Sequence, residues 1–335
     1  MNYINKKIKN IICIVLAIIT CFTLFSCNSA DAEVGTDSQT EAQKQTRSGA
    51  HEEKQPQVER FLYFTDPHYI DVNGWVEYYK GDLEKIASYY KYYPVSFVLC
   101  GGDWLYREDT RLNACNMLLQ VKSRMTELFG DDHYLVLGNH DTNYQGKLNR
   151  YSDENTGMLS HQTIVDLWYE DEGNSYYSFK GECTTFYVFD CGIDWNHTAL
   201  TALDLEQIDW YLDMLDRSDD EHIALALHMI YIGEDVHPLT QTLAAISKAY
   251  NGRSSFFFGG NEYDFSGKSG EVEFMIAGHS HVDIQGEILG IPYIVTRNAG
   301  ASGHPNFDII AVDYDNGFMY TFRVGEGADR RIKID

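Results

Sequence analysis

The chain has 335 residues, of which 44% are apolar and 23% are charged, a composition that excludes wholesale disorder. It contains 50 acidic and 26 basic side chains, so its formal net charge is −24. This acidic excess excludes binding of nucleic acid through its phosphates, because such binding requires clustered lysine and arginine. An anionic substrate must therefore be attracted by something other than the overall field of the protein.

Residues 1–27 predict a lipoprotein-type signal peptide. Three lysines precede an uncharged apolar stretch, residues 11–25, which is short for a membrane-spanning helix. The sequence Leu-Phe-Ser-Cys that ends at Cys27 is similar to the lipobox of bacterial lipoproteins, in which the cysteine receives lipid. We expect cleavage and lipidation at Cys27, and hence an extracytoplasmic protein anchored to the bacterial cell membrane. An uncleaved N-terminal anchor is the alternative.

Residues 28–59 predict a flexible polar tether that leads to a folded domain, residues 60–335. From residue 28 to residue 60 the chain has no aromatic side chain and no Leu, Ile or Met. Such a segment buries too little apolar surface to offset the entropy that ordering would cost.

Four cysteines lie in the predicted domain: Cys100, Cys115, Cys183 and Cys191. Export would permit disulfides. Cys183 and Cys191 flank one predicted strand, residues 184–190, and an extended segment of this length holds them too far apart to pair. We expect buried free thiols.

Five short apolar runs recur along the predicted domain, and polar residues follow each of them. Such runs are typical of strands that are buried on both faces of a sheet. The runs, each with the segment that follows it, are residues 61–64 before 65–68, 95–100 before 101–103, 134–137 before 138–141, 223–227 before His228, and 274–277 before 278–281.

Helical stretches at residues 80–92 and 109–129 separate the first three runs, which predicts the order β-α-β-α-β. A later helix carries apolar side chains on one face from Leu205 to Leu215, and Thr201 with Asp204 predicts a capping box before it. Residues 254–264 predict a β-hairpin. Because it precedes the last polar segment, this hairpin could overhang the site.

The polar residues at the strand ends suit transition metals. In open α/β sheets, functional sites form beyond the carboxyl ends of the strands. Asp, Asn and His supply mixed oxygen and nitrogen ligands, which fit Mn, Fe or Zn better than Ca or Mg. Seven such ligands would hold two ions about 3.5–4 Å apart that share one carboxylate.

The chain resembles the calcineurin-like metallophosphoesterases, because it contains their five motifs in the same order. These motifs are D-x-H, G-D, G-N-H-D, a later His and G-H-x-H. The resemblance runs from about residue 60 to residue 324. It implies an α/β fold, a four-layer αββα sandwich of two mixed sheets flanked by helices. It also implies hydrolysis of a phosphate mono- or diester by in-line attack of a hydroxide held at two metal ions.

The resemblance further implies a role for each motif residue. One metal would be held by Asp66, His68 and His281, and the other by Asn139, His228 and His279, with Asp103 bridging the two. His140 would contact the phosphate together with Asn139 and protonate the leaving oxygen, while Asp141 would orient the His140 imidazole.

Arg107 and Tyr106 match motifs of two other groups within this superfamily. Arg107 lies where protein Ser/Thr phosphatases carry a phosphate-binding arginine, which implies a substrate contact; the alternative is an exposed residue at a helix start. Tyr106 matches the G-D-x-x-Y motif of purple acid phosphatases, whose tyrosine binds iron. Those enzymes lack the first-motif histidine that is present here as His68, so we do not expect Tyr106 to be a ligand.

The substrate is expected to be a phosphorylated small molecule or a phosphorylated component of the cell envelope. Two other functions stay open. One is hydrolysis of a diphosphate bond, as in nucleotide-sugar or lipid-linked intermediates. The other is binding of a ligand or partner at the cell surface without turnover.

Overall fold

The computed structural model describes residues 56–68, 75–106, 110–143, 158–169, 172–190, 204–300 and 305–334. The predicted signal peptide, most of the predicted tether, Cys27, Arg107, Cys191 and Thr201 lie outside these residues. No helix in the described ranges is both long enough and apolar enough to cross a membrane.

Five α-helices and sixteen strands make up the described part of the chain. The helices are α1 (Trp75–Tyr92), α2 (Arg111–Phe129), α3 (His161–Trp168), α4 (Leu205–Arg217) and α5 (Pro238–Asn251). The strands are β1 (Val58–Phe64), β2 (Phe97–Cys100), β3 (His133–Leu135), β4 (Tyr177–Lys180), β5 (Thr184–Val188), β6 (His222–Ala226), β7 (Tyr231–Ile232), β8 (Asp235–Val236), β9 (Ser255–Phe258), β10 (Asn261–Asp264), β11 (Glu271–Ala277), β12 (Ile284–Ile288), β13 (Ile291–Val295), β14 (Phe307–Asp313), β15 (Phe318–Val324) and β16 (Arg330–Lys333).

Two six-stranded mixed sheets form the centre of the fold. The first sheet has the order β16-β15-β14-β1-β2-β3, with β1, β2 and β3 parallel and the others antiparallel. The second has the order β12-β13-β11-β6-β5-β4, with β13, β11, β6 and β5 parallel. All five strands that precede the polar motifs belong to these parallel sets, so the motifs leave the carboxyl ends of their sheets.

Aromatic side chains fill the space between the two sheets. Phe61 of β1 packs edge-on against Phe186 of β5, with ring centroids 5.3 Å apart, and Phe186 contacts Phe274 of β11 in the same way. Fully burying one such ring contributes about 1.5–3 kcal/mol. Because strand residues alternate between faces, the opposite faces of both sheets also carry apolar residues and require cover.

Helices supply that cover. Buried residues of α1, α2 and α3 join the core around the first sheet, and buried residues of α4 and α5 join a second core with the second sheet. The layers are therefore helix, sheet, sheet and helix, which confirms the predicted αββα fold.

The predicted elements are present, and their ends differ by a few residues. Strand β1 begins at Val58, inside the predicted tether, because pairing with β14 extends it beyond the apolar run. Asp204 is itself the N-cap of α4 and accepts hydrogen bonds from the amides of Glu206 and Gln207, so the predicted capping box that begins at Thr201 is wrong.

The hairpin predicted at residues 254–264 is confirmed as β9 and β10. Its inward-facing side chains, Phe256, Phe258 and Tyr263, pack on the core of α4 and α5. Cys100, Cys115 and Cys183 are free thiols as predicted, but only Cys100 is fully buried.

Candidate metal centre

Six of the seven predicted metal ligands meet between the two sheets in two groups. Asp66, His68 and His281 form the first group, and Asp103, His228 and His279 form the second. Within each group the potential ligand atoms lie within 4.8 Å of one another. Each group combines residues that follow strands of both sheets, so the packing of sheet against sheet creates the site.

In the first group, one oxygen of Asp66 faces the histidines. Oδ1 of Asp66 lies 3.3 Å from Nε2 of His281 and 3.8 Å from Nε2 of His68. Oδ2 is occupied elsewhere, because it accepts hydrogen bonds from the Thr65 hydroxyl at 2.6 Å and from the His279 amide at 2.9 Å. Thr65 therefore fixes the carboxylate so that Oδ1 is the oxygen left for a cation.

In the second group, Asp103 divides its oxygens in the same way. Oδ1 of Asp103 accepts a hydrogen bond from the His140 amide at 2.7 Å. Oδ2 lies 3.1 Å from Nε2 of His228 and 4.0 Å from Nε2 of His68, a member of the first group. One oxygen of Asp103 thus lies within reach of both groups, which is the position that a bridging carboxylate requires.

Two of the histidines are oriented by backbone carbonyls. Nδ1 of His68 donates to the Leu105 carbonyl at 3.1 Å, and Nδ1 of His228 donates to the Gly101 carbonyl at 2.6 Å. Both bonds place the proton on Nδ1 and leave Nε2 directed to the centre, as a metal-binding imidazole requires.

The charges of the centre shift the pKa values of its members in opposite directions. Burial opposes ionisation of His228, but the adjacent carboxylates of Asp103 and Asp66 raise its pKa to about 10. Burial and the neighbouring His228 lower the pKa of His279 to about 4. Burial also disfavours the charge on Asp66, yet the adjacent imidazoles of His281 and His228 leave its pKa below the usual value.

The backbone is unusual at five of the predicted ligands. Asp66, His68, Asp103, His279 and His281 have positive φ angles between 49° and 68°, whereas the described chain contains only eight such non-glycine residues. L-residues adopt this region at a cost of about 1–3 kcal/mol, and such strain concentrates at functional sites. The turns therefore direct these side chains inward at the expense of local stability.

Two glycines allow the loops to approach each other. A Cβ at Gly278 would overlap the Thr65 hydroxyl and Oδ2 of Asp66, and a Cβ at Gly138 would overlap Oδ1 of Asp103. Glycine at these positions lets a loop from one strand close on the carboxylate from another.

The residues present fit metal ions. Oδ1 of Asp66, Oδ1 of Asn139 and Nε2 of His228 are buried and have no hydrogen-bond partner within the described chain. Buried polar atoms without partners cost about 1–3 kcal/mol each, so atoms of this kind indicate a missing partner. All three are predicted ligands, and a cation would satisfy each of them.

The predicted role of Asp141 is wrong. Its two oxygens accept hydrogen bonds from four backbone amides, those of Asp103, Trp104, Leu105 and Gly138, at 2.6–3.1 Å. In the short turn His140–Thr142 the Asp141 side chain is therefore bound to the loop after β2. Asp141 thus shapes the loop that carries Asp103, while burial and the charge of Asp103 raise the Asp141 pKa to about 7.

Tyr106 contacts His140 instead. The carbonyl oxygen of Tyr106 accepts a hydrogen bond from Nδ1 of His140 at 2.6 Å, and the two rings are nearly parallel. No sequence pattern signals this contact or the carbonyls of Gly101 and Leu105, because every residue carries a carbonyl. The hydroxyl of Thr65 was also missed, although it directly precedes Asp66. Arg107 lies outside the described residues.

Comparisons with known proteins agree with this fold. Residues 59–283 match the family model of the calcineurin-like phosphoesterases. No curated protein matches the sequence. A dimetal phosphatase from Danio rerio superposes with a TM-score of 0.58 and 13% identity, over 84% of this chain and 100% of that one.

Purple acid phosphatase PPD1 from yellow lupin seeds superposes with a TM-score of 0.53 and 13% identity, over 83% of this chain and 54% of that one. The chain thus spans about half of the lupin enzyme. A structural similarity at 13% identity shows the fold alone. The family model shows more, because it covers more than half of the present sequence and includes all five motifs up to His281. The chain belongs to the calcineurin-like phosphoesterase family.

Proposed function

We propose that this protein is a phosphoric ester hydrolase that depends on two transition-metal ions, Mn, Fe or Zn. The observation that carries the proposal is Oδ2 of Asp103, which lies within 4.0 Å of histidines from both ligand groups. Asn139, whose buried Oδ1 has no hydrogen-bond partner within the described ranges, would complete the second group. Two ions held in this way would acidify a water molecule to a nucleophile at neutral pH and neutralise the charge of the phosphate.

The side chains of this chain would then bind the ester and move a proton. Asn139 and His140 follow strand β3, and both would contact phosphate oxygens. Water would add its oxygen to phosphorus and lose a proton to the solvent, and the bond to the ester oxygen would break with its electron pair on that oxygen. Protonated His140 gives the leaving oxygen a proton from Nε2, because Nδ1 is bonded to the Tyr106 carbonyl.

The Asp103→Asn variant tests this proposal. An amide cannot supply a negative oxygen to two cations, so we expect loss of bound metal and a fall in activity of more than about 10³-fold. Elemental analysis and hydrolysis of a nitrophenyl phosphate measure the two effects. Asp131→Asn, an exposed substitution after α2, is the matched control. Two metals at full occupancy in Asp103→Asn would contradict the bridging role.

A substrate panel separates the proposed activity from the alternatives. Phosphomonoesters, cyclic nucleotides, diesters and diphosphates would be assayed with Mn, Fe or Zn added to the wild-type protein. Cleavage of esters with release of an alcohol supports the proposal, whereas products split at a diphosphate bond favour the diphosphate hydrolase. A folded protein that binds no metal and cleaves nothing would support a binding function.

We also propose that the protein acts outside the cytoplasm, anchored through a lipid on Cys27. The support is the apolar stretch before Cys27 and its lipobox-like end. Cys27→Ala should then abolish incorporation of a labelled fatty acid and release the protein from the membrane fraction. If the wild-type protein takes up no label, the anchor is not a lipid on Cys27.

A further inference from the structure

We propose that Tyr106 is a positioning residue that fixes the imidazole of His140 at the mouth of the metal centre. The inference rests on the proposed function, because it assumes that His140 protonates the leaving oxygen of that reaction. It replaces the orienting role that the sequence predicted for Asp141, whose oxygens are taken by four backbone amides.

Two contacts define the orientation of His140. The Tyr106 carbonyl accepts a hydrogen bond from Nδ1 at 2.6 Å, which is short for a nitrogen donor. The Tyr106 ring lies nearly parallel to the imidazole, with an interplanar angle of 14° and ring centroids 5.9 Å apart. The hydrogen bond fixes which nitrogen faces outward, and the parallel ring limits rotation of the imidazole plane.

His68 closes the arrangement on a third side. Its ring meets His140 edge-on at 4.9 Å and 80°, and meets Tyr106 edge-on at 5.7 Å and 89°. The rings of His140 and Tyr106 therefore both stand perpendicular to the ring of His68. Since His68 belongs to the first ligand group, this cluster sets the position of the acid relative to the metals.

The hydrogen bond also decides which nitrogen of His140 is left for the substrate. A carbonyl only accepts, so Nδ1 is the donor of this bond. Nε2 is then the nitrogen that can contact the leaving oxygen. No other hydrogen bond reaches the His140 ring within the described chain, so its orientation depends on Tyr106.

Tyr106 remains accessible, which makes its side chain open to a direct test. The residue is 47% exposed, so removing its ring opens no cavity in the core. Tyr106→Ala keeps the carbonyl and removes only the ring, whereas Tyr106→Phe keeps both. The matched control is Tyr92→Ala, which removes an 86% exposed tyrosine ring at the end of α1.

We expect Tyr106→Ala to lower kcat for an alkyl phosphate by about 10- to 100-fold, the usual cost of a misplaced reacting group. KM and metal content should stay near the wild-type values, and the loss should be smaller for a nitrophenyl ester, which needs little protonation. Tyr106→Phe should restore most of the rate. Equal losses for both esters, or loss of metal, would overturn the proposal.

A double-mutant cycle tests whether Tyr106 acts through His140. In the His140→Asn background, Tyr106→Ala should add no further loss, because the group that it positions is absent. Multiplicative losses would show that Tyr106 acts on its own and would overturn the proposal.

An NMR measurement separates this inference from the proposed activity. The ring current of Tyr106 should shift the imidazole proton resonances of His140, which are assigned by their absence in His140→Asn. These resonances should move in Tyr106→Ala and stay in place in Tyr106→Phe. If they do not move in Tyr106→Ala, the positioning role is wrong even where the enzyme is active. A wild-type protein that cleaves no ester but shows the shift would contradict only the proposed function.

Discussion

Residues 139–141 occupy one turn, yet their side chains face three different surroundings. Asn139 carries a buried side-chain oxygen that has no hydrogen-bond partner among the described residues. His140 extends to the half-exposed Tyr106, and Asp141 binds the amides of the loop that carries Asp103. Successive side chains diverge where the strand gives way to a short helical turn, so in the proposed mechanism the three neighbours take the separate roles of ligand, acid and scaffold.

The acid role predicts the behaviour of His140→Asn. The variant should bind metal like the wild type, because none of the ligand groups includes this ring. Its kcat should fall by about 10²–10⁴-fold, the usual contribution of a positioned acid. Elemental analysis and steady-state kinetics on an alkyl and a nitrophenyl ester measure both effects.

The leaving group provides the internal control for that experiment. A nitrophenolate leaves without a proton, so the nitrophenyl ester should lose less rate than the alkyl ester. A variant without metal, or one that loses both rates equally, would count against His140 as the acid.

Strands β1, β2 and β11 are apolar and buried over their last four residues, and each is followed by polar residues with positive φ angles. Burial of the preceding strands on both faces offsets the cost of this backbone strain.

The opposite end of strand β1 carries the buried carboxylate of Glu59, which connects the two sheets. Its Oε2 accepts hydrogen bonds from the amides of Cys183 and Thr184 at 2.8 and 3.1 Å, and its Oε1 has no partner in the described chain.

Glu59 makes the stability of the protein depend on pH. Burial raises its pKa above the ordinary 4.5, despite the two amides, so the folded state holds the proton more tightly than the unfolded chain does. The stabilisation by this proton is complete below the unfolded pKa and is lost as pH rises through the folded pKa. Glu59→Gln has no such proton. We expect the free energy of unfolding of the wild type to fall relative to that of the variant as the pH rises above the ordinary pKa of 4.5.

Urea denaturation at several pH values measures this difference. Glu287→Gln, a substitution of an exposed carboxylate on β12, is the control and should follow the wild type. Parallel curves for the wild type and Glu59→Gln would show that Glu59 titrates alike in the folded and unfolded states.

The two sheets are joined by a buried ionic network besides the metal centre and the aromatic core. Asp308 of β14 is fully buried and accepts hydrogen bonds from Arg323 of β15 and Arg330 near the sheet edge, at 2.8–3.1 Å. It also accepts one from the Thr296 hydroxyl, which follows β13 of the second sheet. Arg330 in turn donates to the Val295 carbonyl of that sheet. One carboxylate thus connects strands of both sheets.

Removal of that charge should destabilise the whole molecule. Asp308→Asn leaves two largely buried guanidinium groups without their shared partner, so we expect the free energy of unfolding to fall by about 3–5 kcal/mol. Chemical denaturation measures this loss, with the exposed substitution Asp209→Asn as the control. A loss below about 1 kcal/mol, the usual worth of a surface ion pair, would show that the network is dispensable.

The sequence by itself determined the five buried strands, their order with the helices, and the residues at the strand ends. A strand that is buried on both faces must be apolar, so a sudden Asp, Asn or His at its end is conspicuous in the sequence. Six of the predicted ligands consequently lie together in the structure. The family could be identified for the same reason, and the match over residues 59–283 confirms it.

Only the tertiary structure decided how these residues are held. The partners of His68, His140 and His228 are backbone carbonyls, which have no signature in a sequence. Asp141 was misassigned because adjacency in sequence does not reveal the direction of a side chain in a turn. The outer antiparallel strands of each sheet and the network around Asp308 depend on contacts between distant segments, and a local pattern carries no information about those contacts.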